Sequence, residues 1–405
     1  MDLKSGYPYW AIKNGLMYAF ARPEADLRCD VVVIGAGITG ALIADELAAH
    51  GFDVVVLDQR DVGWGSTAAS TALLQYEIDT HAIDLARRYG EAHALSAYQA
   101  CLAAIASLEE VAHSVGDVDF SRCDSLYYAS KRAHRSVLAD EFAWRAARGF
   151  PVRWLSRAAL QADYGLVAPG AILSSVAARV DPYRLASRLL RRLQRNGQRV
   201  FDRTRVQACV ATARQVRLTT DQGISITAGH VVVACGYESQ TWLRQRVAVN
   251  RSSYAYMSDP IERGDLGWLA HTLLWESARP YLYLRTTGDG RLLVGGEDDD
   301  SDVPARRDRM VKRKAATLQS KVARRFPALD ARPAFAWAGT FAETRDGLPY
   351  FGAHPQYGAR VLFAMAYGGN GITYSMLGAG LLRAAIERRA HPLAGLFGFA
   401  RAERK

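Results

Sequence analysis

Two short apolar runs, separated by a glycine-rich turn and a helical pattern, stand near the start of the chain. Residues 30–34 (DVVVI) and 53–57 (DVVVL) are continuous β-branched runs, as expected of strands buried on both faces of a parallel sheet. Between them, a helical pattern covers residues 38–50 and ends at Gly51. This order predicts a strand, a tight turn, a helix and a second parallel strand within about 30 residues.

Farther along the chain, the hydrophobic period changes between helical and extended. Helical patterns cover residues 81–115, 132–148, 183–196, 305–326 and 374–389. Short consecutive strands are predicted through residues 199–235 and 252–297, with a hairpin turn at Gly288-Asp289-Gly290. The mixture of helices and strands predicts an α/β protein.

Composition and charge narrow the class of protein only slightly. The chain has 405 residues, 49% of them hydrophobic, a formal net charge of +10, and seven lysines among its 51 basic residues. Because the arginines are scattered, we interpret them as a solvated surface, and nucleic acid is not an expected partner. Five cysteines without CxxC spacing predict free thiols and no metal site.

The chain shows no pattern for export or for membrane insertion. No run of about 18 apolar residues predicts a transmembrane segment. The N-terminal sequence MDLKSGYPYWAIKNG lacks the apolar centre of a secretory signal. Together with the free thiols, these features predict a cytoplasmic location.

The strongest motif is Gly35-x-Gly37-x-x-Gly40, which follows the first strand and opens the helix. In a dinucleotide-binding unit, the first glycine permits the turn, the second lets a pyrophosphate approach, and the third lets helix and strand pack closely. The helix N-terminus supplies N–H groups for the phosphates. Asp58, at the end of the second strand, is the residue expected to bind the ribose hydroxyls. The motif alone leaves FAD and NAD open.

Five later segments carry a family resemblance. They are residues 62–71 (VGWGSTAAST), 204–206 (TRV), 231–236 (VVVACG), 337–352 (WAGTFAETRDGLPYFG) and 367–373 (YGGNGIT). In this order, they resemble segments of the D-amino-acid oxidase and sarcosine oxidase superfamily. The resemblance spans residues 30 to 390 and implies a flavin-dependent oxidoreductase with FAD as its dinucleotide.

The resemblance also implies which residues contact FAD. Ser66 and Thr67 would lie along the flavin side of the diphosphate, and the backbone of Val206 would bind adenine. The N–H groups of residues 368–371 would stabilise the negative charge of the reduced flavin. The full predicted set is Gly35, Ala36, Gly37, Ile38, Thr39, Gly40, Asp58, Gln59, Arg60, Gly65, Ser66, Thr67, Ala68, Val206, Ala234, Cys235, Gly236, Gly339, Asp346, Gly368, Gly369, Asn370, Gly371, Ile372 and Thr373.

Two departures from the family bear on how the flavin is held and used. The sarcosine oxidase branch attaches its flavin to a cysteine, whereas the matching position here is Gly339, with no cysteine nearby. The lysine credited with oxygen activation in that branch falls near Leu293. We therefore expect non-covalent FAD, with oxygen or an unidentified carrier as the electron acceptor.

The predicted fold has two α/β domains after an N-terminal extension of residues 1–29. A discontinuous, Rossmann-like FAD-binding domain of the glutathione-reductase type is assigned to residues 30–85, 150–245 and 335–405. A substrate domain, built on an antiparallel sheet that covers the flavin ring, is assigned to residues 86–149 and 246–334.

Three residues are candidates for the substrate site. An amino-acid substrate needs a partner for its carboxylate, and the planar fork of arginine suits this role. Arg285 lies on a predicted strand with Tyr281 and Tyr283, and Arg345 lies in the late motif that passes beside the flavin. For either arginine, a surface salt bridge is the alternative interpretation. We predict that Tyr283, Arg285 and Arg345 form the substrate site.

The expected reaction is FAD-dependent oxidation of the C–N bond of a small amine or amino acid. Hydride would pass to the flavin, and the imine product would then be hydrolysed. Three alternatives remain open at this point: oxidation of a 2-hydroxyacid or polyol, flavin-dependent modification of RNA, and a non-catalytic FAD-binding subunit.

Overall fold

The computed structural model describes residues 2–365 and 367–403. The strands are β1 (Lys4–Gly6), β2 (Leu27–Ile34), β3 (Val54–Leu57), β4 (Leu73–Gln75), β5 (Ser121–Tyr128), β6 (Val152–Ser156), β7 (Gly170–Arg179), β8 (Arg199–Phe201), β9 (Val206–Ala211), β10 (Val216–Thr220), β11 (Ser225–Val233), β12 (Val249–Pro260), β13 (Thr272–Glu276), β14 (Leu282–Thr286), β15 (Arg291–Asp299), β16 (Pro333–Glu343), β17 (Tyr350–Ala353) and β18 (Val361–Met365). The helices are α1 (Tyr9–Asn14), α2 (Ile38–Ala49), α3 (Ser66–Ala69), α4 (Ala82–Tyr89), α5 (Glu91–Val115), α6 (His134–Ala147), α7 (Arg157–Tyr164), α8 (Pro182–Arg195), α9 (Arg263–Leu266), α10 (Pro304–Arg325), α11 (Gly371–Ile386) and α12 (Ala394–Phe397). Short 3₁₀ helices span Gly236–Trp242, Gly267–Ala270 and Phe399–Glu403.

The smaller of two sheets has the predicted dinucleotide-binding topology. Its strands follow the order β17-β18-β11-β2-β3-β8, and β18, β11, β2, β3 and β8 are parallel. Alternate residues of β2 belong to two hydrophobic cores, one on each face of the sheet. Val31 and Val33 pack with α2, α5, α8 and α11. Val32 and Ile34 pack with β10 and β18 on the other face. Burial on both faces explains why the predicted strand is apolar without alternation.

The larger sheet contains ten strands. Its order is β1-β16-β12-β15-β14-β13-β5-β7-β4, with β6 added beside β7, and its strands are antiparallel except at the β13–β5 pair. Helix α10 packs on one face through Leu318 and Val322, which are fully buried. The hairpin predicted at residues 288–290 is confirmed, since β14 and β15 pair in antiparallel register.

The five predicted helical regions are confirmed by α4 with α5, α6, α8, α10 and α11. The strands of residues 199–235 are confirmed as β8, β9, β10 and β11. In the part of the chain that the structure describes, no helix is both long and apolar enough to cross a membrane.

The sheets divide the chain differently from the predicted domain boundaries. Strands β6 and β7, within residues 150–245, and β16, mostly within residues 335–405, belong to the larger sheet rather than to the smaller one. The predicted N-terminal extension also joins the larger sheet, because β1 pairs with β16. The indole of Trp10 is fully buried and donates a hydrogen bond to the carbonyl of Ser70 at 2.7 Å, which fixes α1 beside α3.

Candidate functional site

An elongated cavity of about 700 Å³ is lined by residues from both sheets. One end lies at the carboxyl ends of β2, β3 and β11, where Gly35, Asp58 and Ala234 line it. The other end is walled by the larger sheet, including Ser253 and Tyr283. Open α/β sheets bind ligands outside the carboxyl ends of their strands, so the first end is the expected nucleotide site.

The glycine turn after β2 leaves no room for side chains. A Cβ atom at Gly35, whose φ is +112°, would lie 2.3 Å from the carbonyl oxygen of Ala234. A Cβ atom at Gly40 would lie 1.7 Å from the carbonyl oxygen of Gly35, and one at Gly37 would lie 2.9 Å from Thr67 Oγ1. Close approach of backbone atoms therefore requires glycine at positions 35 and 40, whereas at position 37 the crowding atom belongs to the Thr67 side chain.

Two polar side chains hold this turn in place. The Asp58 carboxylate accepts the N–H groups of Ala36 at 2.7 Å and of Arg60 at 2.8 Å. Thr67 Oγ1 accepts the N–H of Ile38 at 2.9 Å, which is at the first turn of α2. Burial raises the pKa of Asp58 to about 6. Asp58 both braces the glycine turn and lines the cavity beside it.

The loop before α11 closes the cavity from a third side. Gly369 donates its N–H to Asp79 Oδ2 at 2.9 Å, and Asn370 Nδ2 donates to the carbonyl oxygen of Glu77. Gly368 adopts a φ of +58°, a left-handed conformation that favours glycine. These contacts tie the loop to the segment that follows β4, and both line the cavity.

A comparison with protein families identifies the family of this chain. The model for FAD-dependent oxidoreductases, called DAO, matches residues 30–385. The chain belongs to this family. It is therefore an FAD-dependent oxidoreductase, and both the predicted superfamily and the predicted cofactor are confirmed.

Similar proteins include two enzymes of about the same length. Glycine oxidase of Geobacillus kaustophilus is 27% identical over 375 residues, which cover 89% of this chain and 94% of that protein. Gamma-glutamylputrescine oxidoreductase of Escherichia coli is 26% identical over 402 residues, which cover 94% of this chain and 89% of that protein.

Solved structures confirm the fold class. The crystal structure of glycine oxidase from Geobacillus kaustophilus matches with a TM-score of 0.73 and 22% identity, covering 92% of this chain and 98% of that one. The crystal structure of L-proline dehydrogenase from P. horikoshii matches with a TM-score of 0.78 and 17% identity, covering 94% and 100%. At these identities, the likeness concerns the fold alone.

The residues of the cavity fit FAD at the smaller sheet. The glycine turn presents backbone without side chains where a pyrophosphate would approach. Ser66 Oγ, at the start of α3, lines the cavity and is buried without a hydrogen-bond partner, so it has a free polar group for the cofactor. Asp58 has two carboxylate oxygens beside the turn, each with a lone pair beyond the one that accepts a backbone N–H.

Most of the predicted FAD-binding residues line the cavity. They are Gly35, Gly37, Ile38, Thr39, Asp58, Gln59, Arg60, Gly65, Ser66, Thr67, Val206, Ala234, Cys235, Gly236, Gly339, Gly368, Gly369, Asn370, Gly371 and Ile372. Their contacts with FAD stay predictions, now supported by a shared location. The cavity lining does not include Ala36, Gly40, Ala68, Asp346 and Thr373.

Asp346 has a different role from the predicted one. Asp346 is 4% exposed, and its carboxylate forms an ion pair with Arg401 at 2.7 Å and accepts hydrogen bonds from Tyr89 and Thr344. It also accepts the N–H of Leu348 at 3.1 Å. We therefore correct the prediction: Asp346 fixes the turn between β16 and β17 and does not line the cavity.

Neither predicted arginine reaches the cavity. Arg285 is fully buried, and its guanidinium donates to the carbonyl oxygens of Thr71, Val180 and Thr286. Arg345 is exposed on the surface and does not line the cavity. The prediction that either arginine binds a substrate carboxylate is corrected, because one guanidinium is occupied by backbone groups and the other lies outside.

Tyr283 is the predicted substrate residue that does line the cavity. Its ring lies over Gly295 of the neighbouring strand, where a Cβ atom would come within 2.3 Å of the ring. Its hydroxyl lies 3.4 Å from Ser253 Oγ. Burial raises the pKa of Tyr283 to about 12, so the phenol stays protonated at neutral pH.

The acidic and aromatic residues at the larger-sheet end were not predicted from the sequence. Glu77 and Asp79 follow β4, Trp275 lies on β13, and Asp298 lies on β15. No motif marks them, because they come from separate strands. The alternation of Tyr281 and Tyr283 was the one local signal for this wall.

Proposed function

We propose that this FAD-dependent oxidoreductase oxidises the C–N bond of a small amine or amino acid to an imine, which water then hydrolyses. One observation carries the proposal: Asp79 and Asp298 line the larger-sheet end of the cavity, and among the described residues no lysine or arginine lines that end. Amines are protonated at neutral pH, so these carboxylates attract them. The same carboxylates repel a 2-hydroxyacid anion.

The chain's own residues bind and orient the substrate. Bound FAD supplies the hydride acceptor. Tyr283 stays protonated and therefore acts as a hydrogen-bond donor rather than as a base. Burial raises the pKa of Asp298 to about 6, so its carboxylate is mostly ionised at pH 7 and above.

The relatives support the substrate class. Glycine oxidase and gamma-glutamylputrescine oxidoreductase are both named for substrates that carry amine nitrogen. We carry over to this chain only the class, an amine or amino acid. The particular substrate is addressed below by its charge.

An anaerobic reduction screen tests the proposal. The FAD-loaded protein is mixed without oxygen with amines, amino acids, 2-hydroxyacids and polyols, and loss of the oxidised flavin absorbance is followed. We expect amines or amino acids to bleach the flavin, with one ammonia or amine released for each flavin reduced. Dithionite serves as the control for complete reduction.

Bleaching by hydroxyacids or polyols alone contradicts the proposal. Admission of oxygen afterwards tells whether oxygen is the electron acceptor.

A further inference from the structure

We propose that the larger-sheet end of the cavity is a cation-binding chamber, and that the substrate is a cationic amine whose binding needs no carboxylate. This inference rests on the proposed C–N oxidation and makes its substrate specific. We call this region the acidic chamber, formed by Glu77, Asp79, Asp298, Trp275, Tyr281 and Tyr283.

Two carboxylates of the acidic chamber lack a cationic partner within the described chain. Neither Asp79 nor Asp298 forms an ion pair with a lysine or arginine there, whereas Glu343, which also lines the cavity, pairs with Arg251. Asp298 Oδ1 is buried and has no hydrogen-bond partner. Their negative charge is thus available to a ligand in the chamber.

Glu77 supplies an independent sign of a missing donor. It is 3% exposed and lines the cavity, and its Oε2 has no hydrogen-bond partner. Its other oxygen, Oε1, forms a buried ion pair with Arg145 Nη1 at 3.9 Å, so the chain itself balances the charge of Glu77 and only Oε2 lacks a donor. Buried polar atoms are nearly always paired in folded proteins. Glu77 Oε2 therefore offers a lone pair that the positive charge of a cationic ligand would attract.

The aromatic walls suit the same ligand. Trp275 is held flat against Tyr127, with ring centres 3.6 Å apart and an 8° angle between the planes. Faces of tryptophan and tyrosine attract cations. Tyr281 already has a cation against it, since the guanidinium of the exposed Arg279 lies 3.6 Å from its ring centre.

The chamber offers no comparable site for a carboxylate. Arg279 does not line the cavity, and the guanidinium of Arg285 is taken up by three backbone carbonyls. A substrate carboxylate placed between Asp79 and Asp298 would be repelled. The charge of the walls therefore favours an amine over an amino acid.

Binding of two opposite ions to the FAD-loaded protein tests this inference. The probes are tetramethylammonium, which has no N–H and no lone pair on nitrogen, and acetate, each titrated by calorimetry and by the shift in flavin absorbance. We expect tetramethylammonium to bind at pH 7.5 and acetate not to bind. Asp298→Asn and Asp79→Asn should each weaken tetramethylammonium binding at least about tenfold, as expected for loss of one charged contact.

Asp299→Asn is the matched control. Asp299 is the next residue on β15, pairs with Arg306 and does not line the cavity. It should bind tetramethylammonium like the wild type. Tighter binding of acetate than of tetramethylammonium overturns the inference, as does wild-type affinity in both chamber variants. If the variants do not retain FAD, the comparison of the two probes on the wild type decides.

The outcomes separate this inference from the proposed reaction. If tetramethylammonium binds as expected but no amine reduces the flavin, the acidic chamber stands and the proposed oxidation fails. If amines reduce the flavin while tetramethylammonium neither binds nor inhibits, the oxidation stands and the acidic chamber fails. A third outcome also contradicts the acidic chamber. In it, the wild type oxidises only substrates that carry a carboxylate, whereas Arg279→Gln no longer needs that carboxylate.

Discussion

Replacing Arg285 by lysine tests whether this residue supports the fold or binds substrate. Its guanidinium is fully buried and donates to the carbonyl oxygens of Thr71 at 2.7 Å, Val180 at 2.9 Å and Thr286 at 3.2 Å. Lysine keeps the charge but loses the planar fork, so we expect two of the three carbonyls to lose their donor. At about 1–3 kcal/mol for each buried unpaired group, Arg285→Lys should lower the free energy of unfolding by about 2–6 kcal/mol.

Urea unfolding of the FAD-saturated protein, followed by far-UV circular dichroism, measures this loss. Arg345→Lys is the control, since Arg345 is exposed, and its effect should stay within about 0.5 kcal/mol. Substrate kinetics on the same proteins complete the test. Unchanged stability in Arg285→Lys, together with a loss of activity confined to substrates that carry a carboxylate, would refute our reasoning and restore Arg285 as a carboxylate-binding residue.

Three further predictions concern the cofactor and the acidic chamber. Gly37→Val should abolish FAD binding, measured as FAD per folded protein, because even a Cβ there lies 2.9 Å from a threonine hydroxyl; stoichiometric FAD would contradict this. Acid precipitation should release all the flavin, because no cysteine or histidine of the described chain lines the larger-sheet end; a coloured pellet would show covalent attachment. Tetramethylammonium affinity should fall as the pH drops through about 6, because Asp298 becomes protonated there. The neighbouring charges that influence its pKa are Asp79, Glu343 and Arg279. An affinity independent of pH between 5 and 8 would contradict this.

The nucleotide half of the molecule was predictable because its signals are local. The β2–α2–β3 unit lies within 31 consecutive residues from Leu27 to Leu57, and its glycines, buried strands and terminal acidic residue follow one another directly. The domain boundaries were less predictable. Strands β6 and β7 resemble other strands in sequence. Only the pairing of β7 with β5, and of β6 with β7, shows that they belong to the larger sheet.

The substrate half could not be assembled from the sequence. Its walls come from β4, β12, β13, β14 and β15, which are brought together by pairing between distant segments. Arg285 shows the difficulty, since it shares a strand with Tyr283, yet its guanidinium turns toward backbone carbonyls while the tyrosine lines the cavity. Sequence alternation predicts the face of a strand but not the partners that a long side chain meets on it.

The acidic chamber should also make the stability of the folded protein depend on the charge of the ion that it binds. Burial raises the pKa of both Glu77 and Asp298, which means that the folded protein holds these carboxylates at a cost in free energy. A cation that binds only the folded state offsets such a cost, and at 100 times its Kd it adds about 2.7 kcal/mol of stability. An anion of equal size would add to the repulsion instead. The sign of the thermal shift produced by small ions should therefore follow their charge, with stabilisation by cations and none by carboxylates, independently of whether the flavin turns over.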